Sequence, residues 1–123
     1  MFLLPILMWY QANMSLRFDD PVFMKDYVVV ASLYNGLDAQ IMKNIVKCES
    51  QFRQFKADGT HLISLTSDVG LMQINQVHWK RAKSLGLDIF NSPIDNMEMA
   101  KIIQKEQGYK AWSCYNRKVS DGT

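Results

Sequence analysis

Cysteine and histidine are scarce in this chain, and so are the groupings that would hold a metal. Among 123 residues there are two cysteines and two histidines. Neither cysteine sits in a C-x-x-C pair or beside spaced histidines, which argues against a zinc site or a thioredoxin-like redox motif. Cys48 and Cys114 are therefore either a disulfide or two buried thiols acting as small apolar side chains, and the compartment decides between them. His61 and His78 read as surface residues, and no metal or cofactor is assigned. A strong charge of one sign is lacking too. The formal net charge is +2, and the basic residues are scattered, so the clustered stripe of a nucleic-acid binder is missing. No nucleic-acid partner is expected. Long apolar runs are also absent: Met1–Tyr10 falls well short of the roughly 20 residues a spanning helix needs. That run has no preceding Lys or Arg and no clear small-x-small cleavage site before Asn13. It makes a poor secretory signal and is expected to pack on the domain or to lack order. Repeats and low-complexity tracts are missing as well.

What remains fits one domain, long enough to bury roughly two-thirds of the surface its unfolded form exposes. Asp19-Asp20-Pro21 marks a break, because the residue before a proline avoids the helical region. Val22–Tyr34 is apolar and rich in β-branched residues, leaving helix and strand unresolved, with helix preferred. Asp38 can cap a following helix by accepting from its first-turn amides. Ile41, Ile45, Val46 and Phe52 then recur at three- and four-residue steps, which predicts a helix from Ala39 to about Phe52. The pattern stops at Arg53, and Asp58-Gly59 followed by His61–Thr66 predicts a turn and a small β-hairpin. A second helix is predicted from Val69 to about Leu85, ended by Gly86. After a loop over Asp88–Pro93, a third is predicted over Ile94–Gln107, closed by Gly108. Trp112–Tyr115 begins the last ordered piece, and Arg117–Thr123 reads as a polar, frayed tail.

The stretch most suggestive of chemistry runs from Cys48 to Asn75. It places Glu49 near the end of an amphipathic helix with Val46 and Phe52 as apolar neighbours. A carboxylic acid beside apolar groups has its charged form disfavoured, so it can still donate a proton near neutral pH. Lys47 and Arg53 would pull the other way, and a solvated helical carboxylate is the commoner fate of any one glutamate. Downstream, Asp68-Val69-Gly70-Leu71-Met72-Gln73-Ile74-Asn75 supplies a second carboxylate and two amides. Met72 and Ile74 read as core. Gln73 and Asn75 can donate to and accept from sugar hydroxyls and N-acetyl groups, while Trp112 and Tyr115 offer ring faces with polar handles.

These motifs, in this order, resemble the lysozyme-like superfamily, specifically the small lytic transglycosylases associated with secretion systems and phage. Glu49-Ser50-Gln51-Phe52 is similar to their E-S-x-F motif. Asp68 to Asn75 with His78-Trp79 resembles their D-x-G-L-M-Q-I-N and H-W. Phe90-Asn91-Ser92-Pro93, Asp95-Asn96 and Trp112-Ser113-Cys114-Tyr115-Asn116 are similar to later N-P, D-N and W-x-x-Y-N elements. The likeness spans roughly Asp38 to Asn116. It departs where Ser113-Cys114-Tyr115-Asn116-Arg117 replaces the small residues and glycine that usually surround the closing tyrosine.

The resemblance implies a mainly α, α+β lysozyme-like fold with a small β-hairpin beside a cleft. It implies an N-terminal extension over 1–35, a catalytic domain over 36–116 and a tail over 117–123. Glu49 is the implied general acid cleaving the β-1,4 bond between N-acetylmuramic acid and N-acetylglucosamine of peptidoglycan. Asp68 is the candidate second carboxylate if the enzyme is a hydrolase, and Gln73, Asn75, Trp112 and Tyr115 are the implied substrate-binding residues. A catalytically silent glycan-binding member is the competing reading. The resemblance also brings Cys48, beside Glu49, toward Cys114 in the cleft-lining closing piece, so a disulfide is expected. The implied setting is a monomer acting on the glycan strand, alone or with a secretion-system or phage assembly. Its expected location is periplasmic, secreted or virion-associated.

Overall fold

The computed structural model describes residues 20–120, and side chains only through Arg117. The expectations for the apolar start at Met1–Tyr10 and for residues 121–123 lie outside the described residues.

The chain enters through a helix, α1, over Pro21–Tyr34. Asp20 caps it by accepting from the amides of Val22 (2.9 Å) and Phe23 (3.4 Å), and Pro21 occupies the first turn, where its missing N–H costs nothing. The preference for helix over strand therefore holds. Met24, Tyr27, Val28 and Ala31 go into the core. Helix α2, Ala39–Ser50, packs across α1 and buries Met42, Ile45 and Val46. Asp38 caps it, accepting from the Ile41 amide at 3.0 Å.

Helix α2 ends two residues before the predicted Phe52, because Gln51 (φ 54°) and Phe52 (φ 62°) both adopt left-handed backbone. Two consecutive non-glycine residues there cost about 1–3 kcal/mol each. The bend still puts the Phe52 ring in the core at 8% exposure and sends Gln54, fully buried, under the next segment.

The expected hairpin at residues 58–66 shrinks to a turn closed by a bridge from Phe55 to His61, followed by a second isolated bridge from Ile63 to Val69. The predicted helix from Val69 to Leu85 is corrected more sharply. Its first half is the hairpin itself: β1, Asp68–Val69, pairs antiparallel with β2, Ile74–Asn75. A short 3-10 turn over Gln76–His78 follows, and helix α3 occupies only Trp79–Ser84. The cause lies in distant side chains. The Leu71 amide donates to Gln54 Oε1 (2.9 Å) and the Met72 amide to Asn96 Oδ1 (2.7 Å). Gln54 Nε2 donates to the carbonyls of Ile89 (2.9 Å) and Phe90 (3.1 Å), and Asn96 Nδ2 to those of Val69 (3.0 Å) and Ile89 (2.9 Å). Both buried amides are thereby satisfied, which avoids the roughly 1–3 kcal/mol cost of an orphaned polar group. Gly70 makes the approach possible. With φ at 76°, a Cβ there would lie 2.7 Å from Gln54 Nε2 and closer still to Asn96 Nδ2.

Helix α4, Pro93–Gln107, is capped by Ser92 and buries Asn96, Met97, Met99, Ala100 and Ile103. The final helix, α5, runs over Ser113–Ser120, into the segment expected to be a frayed tail. The result is a mainly helical α+β fold whose small sheet stands beside a cleft. No helix among the described residues is long and apolar enough to cross a membrane.

Candidate active site

The cleft has a volume of about 370 Å³. Its helical wall comes from Glu49 of α2, Ile103 and Gln107 of α4, and Ala111, Trp112 and Ser113 leading into α5. The hairpin wall brings Thr66, Asp68, Gln73, Ile74 and Asn75, followed by His78. Five of the residues singled out in the sequence, Glu49, Asp68, Gln73, Asn75 and Trp112, thus line one cavity.

Glu49 stands in the last turn of α2. Its Oε2 accepts one hydrogen bond, from the Cys114 backbone amide at 3.3 Å. Partial burial raises its pKa above the ordinary glutamate value, the Cys114 amide pulls it back, Asp68 across the cleft raises it again, and the Arg117 guanidinium lowers it. The net direction is upward, as a proton donor requires. The cationic influence comes from Arg117 on α5; Lys47 and Arg53, the neighbours in sequence, are not its source.

Asp68 is held differently. Its Oδ1 accepts from Asn75 Nδ2 at 2.9 Å, and its Oδ2 accepts from Ser64 Oγ at 2.9 Å and from Thr66 Oγ1. It caps no helix: the Gly70 amide goes to the Leu62 carbonyl (2.9 Å) and the Leu71 amide to Gln54. Asn75 Nδ2 also donates to the Thr66 carbonyl at 3.1 Å, and its Oδ1 accepts from the Val77 amide at 3.1 Å. Gln73 donates to the Gly70 carbonyl at 3.0 Å, and its Oε1 has no partner among the described residues. It holds left-handed backbone at φ 49°, a strained conformation of the kind found at binding sites.

The two aromatics are placed differently from each other. Trp112 lines the cleft but is 4% exposed, with its indole N–H donated to the Met72 carbonyl at 2.8 Å. It clamps the hairpin turn and leaves little of its ring toward the cleft. Tyr115 is absent from the cleft lining and packs against Tyr109, ring centroids 5.9 Å apart. His78 also differs from its surface reading. It is partly buried in the lining, and desolvation, then Arg81, lowers its pKa while Glu106 opposes. Thr66 and Gln107 carry no local signal of a site in the sequence, since their place depends on how the elements meet. Among the described residues no group of three or more His, Cys, Asp or Glu is arranged to hold a metal.

The disulfide joins Cys48 to Cys114, with Cα atoms 6.0 Å apart, and links α2 to α5 directly beside Glu49. A family model described as the transglycosylase SLT domain matches residues 26–116, about three quarters of the chain. The chain belongs to the transglycosylase SLT domain family. The matched region starts inside α1 and takes in both walls of the cleft. No curated protein and no solved structure matches the chain. Membership brings the lysozyme-like α+β fold and, for the family in general, peptidoglycan cleavage of the lytic transglycosylase type. The SLT domain here carries Glu49, a carboxyl whose pKa is raised, inside the cleft.

Proposed function

We propose that this SLT domain cleaves the β-1,4 bond between N-acetylmuramic acid and N-acetylglucosamine as a lytic transglycosylase, with Glu49 as its acid and base. The observation that carries the reading is a partly buried Glu49 in a cleft, with raised pKa and a single hydrogen bond. A raised pKa favours the proton-bound form of such a carboxyl, and a single donor does not lock it. It delivers its proton to the glycosidic oxygen as the C1–O bond breaks. The resulting carboxylate then takes the proton of the muramic acid 6-hydroxyl, whose oxygen closes on C1. The product is a 1,6-anhydro end, and water is neither consumed nor released. Gln73 Oε1 supplies a free acceptor for a sugar hydroxyl or N-acetyl N–H.

A second reading, a hydrolytic muramidase, is favoured by one observation: Asp68 lines the same cavity and acts electrostatically on Glu49. A second carboxylate could support an oxocarbenium-like state or a covalent intermediate. Peptidoglycan digestion followed by mass spectrometry separates the readings. Anhydromuramyl ends, one water lighter than hydrolytic ends, are expected; reducing ends alone overturn the transglycosylase, and no solubilised glycan at any pH overturns both. The disulfide supports placing the domain in an oxidising setting, periplasmic, secreted or virion-associated.

A further inference from the structure

The one amide that holds Glu49 is covalently tied to Glu49's own neighbour. Cys48 immediately precedes Glu49 in α2, and Cys114 is the second residue of α5. The Cys114 N–H belongs to the first turn of α5, whose amides find no acceptor within their own helix. It donates to Glu49 Oε2, so bridge and hydrogen bond run side by side between the same two segments. Arg117, one turn further along α5, donates from Nη2 to both sulfurs, at 2.9 Å to Cys114 and 3.4 Å to Cys48. Cys114 is 2% exposed, whereas Cys48 is exposed and open to a thiol from solution.

We infer that the Cys48–Cys114 bridge is a redox-sensitive brace for the Glu49 carboxyl, fixing the Cys114 amide and the Arg117 guanidinium beside it until a dithiol reduces the bridge. The inference rests on Glu49 being the acid of the proposed reaction. In the reduction a thiolate of the dithiol attacks the Cys48 sulfur, the S–S bond breaks, and Cys114 leaves as a thiolate. The second thiol of the reagent then displaces the Cys48 sulfur, giving two protein thiols and the reagent's cyclic disulfide. Other contacts remain in the reduced protein. Trp112 keeps its hold on the Met72 carbonyl, and the Tyr109 hydroxyl accepts from the Asp38 amide at 2.7 Å. The closing segment thus stays docked while the tip of α5 loosens. The charged groups acting on Glu49 are Asp68 from β1 and Arg117 from α5, while α4 brings the uncharged Ile103 and Gln107 and the 3-10 turn brings His78. Loosening removes the two influences that favour the carboxylate and leaves burial and Asp68, which oppose it.

The test reads Glu49 by ¹³C NMR titration of its carboxyl, assigned with Glu49→Gln. It uses the oxidised chain, the chain reduced with dithiothreitol, and the double variant Cys48→Ala/Cys114→Val, which keeps the buried position apolar. The expected result is native circular dichroism in all three and a Glu49 titration at higher pH in both bridge-free forms. Glycan release should fall about tenfold or more, since an ångström of misplacement can cost on the order of 10²-fold. The alkaline limb of activity should move upward with the titration, and reoxidation should restore both. An unchanged titration or an unchanged rate in folded, bridge-free protein overturns the brace. Unfolding of both bridge-free forms overturns it too, because the bridge then serves the fold as a whole. The titration needs no substrate, so an oxidised chain that releases no glycan counts against the proposed function while the brace is still decided.

Discussion

Glu49 and Asp68 line one cleft from walls built on different terms. Glu49 sits where a helix ends, partly desolvated, with one amide on one oxygen. Asp68 sits in a two-residue strand, with Ser64, Thr66 and Asn75 all donating to its carboxylate. A carboxyl that must give up and retake a proton needs few partners that prefer its charged form. One that serves as a fixed acceptor benefits from many. Two side chains of nearly the same chemistry are thereby suited to different work, and the difference arises from the elements that carry them.

The largest expected effect tests the Glu49 wall. Glu49→Gln keeps the shape but cannot deliver a proton, so glycan release should fall by on the order of 10²- to 10⁴-fold. Circular dichroism should be unchanged. Near-normal release from that variant would remove Glu49 from the mechanism. In the wild type, activity should decline as pH rises through the raised Glu49 pKa, at a higher pH than an ordinary glutamate would give.

The next effect tests the hairpin wall. Gly70→Ala forces a Cβ against the buried Gln54 and Asn96 amides at a left-handed position. Overpacking of this kind costs about 1–3 kcal/mol and the backbone about 1–2 more. Chemical denaturation should show a loss of about 3 kcal/mol, and a loss below about 0.5 would mean that the amides yield easily.

That same network explains what sequence reasoning reached and what it missed. The helix of Glu49 was legible because its apolar spacing and the Asp38 cap agree. The hairpin was not, because Leu71, Met72 and Ile74 fall in a segment too short for periodicity to separate strand from helix. What decides it is Gln54 and Asn96, 17 and 24 residues from the amides they capture. The motif residues Glu49, Asp68, Gln73 and Asn75 meet in one cleft, whereas Ser64 and Thr66 lay in a stretch read as a hairpin, with nothing to mark them as partners of Asp68. Trp112 has a ring with a polar handle, and that handle is taken by the Met72 carbonyl.

A smaller effect separates acid from fold. The raised folded-state pKa of Glu49 means the proton-bound form suits the fold better. Its contribution is fully present below the unfolded-state pKa and is lost as pH rises through the folded value. Glu49→Gln has no charge to bury, so its melting temperature relative to wild type should climb across that window and be higher near neutral pH. A difference that stays flat with pH would mean that burial does not act on the Glu49 charge.

The smallest expected effect is that of Asp68→Asn on the transglycosylase. The amide can keep one acceptor oxygen but puts an NH₂ group toward donors, so at least one of the Ser64, Thr66 and Asn75 bonds must be lost or turned around. The hydroxyls of Ser64 and Thr66 can rotate to accept instead, which limits the damage to the hairpin. If the 6-hydroxyl closes the ring on C1 under Glu49 alone, the rate should change by less than about tenfold, consistent with one altered hydrogen bond of about 1 kcal/mol. The anhydro product should be unchanged, and the weakened field on Glu49 should shift the alkaline limb slightly downward, since Asp68 raises the Glu49 pKa. A hydrolase behaves differently. Removing the carboxylate that supports its oxocarbenium-like state or forms its covalent intermediate should reduce turnover steeply. A steep loss with reducing ends among the wild-type products would assign Asp68 a chemical role and make the hairpin wall a partner in catalysis.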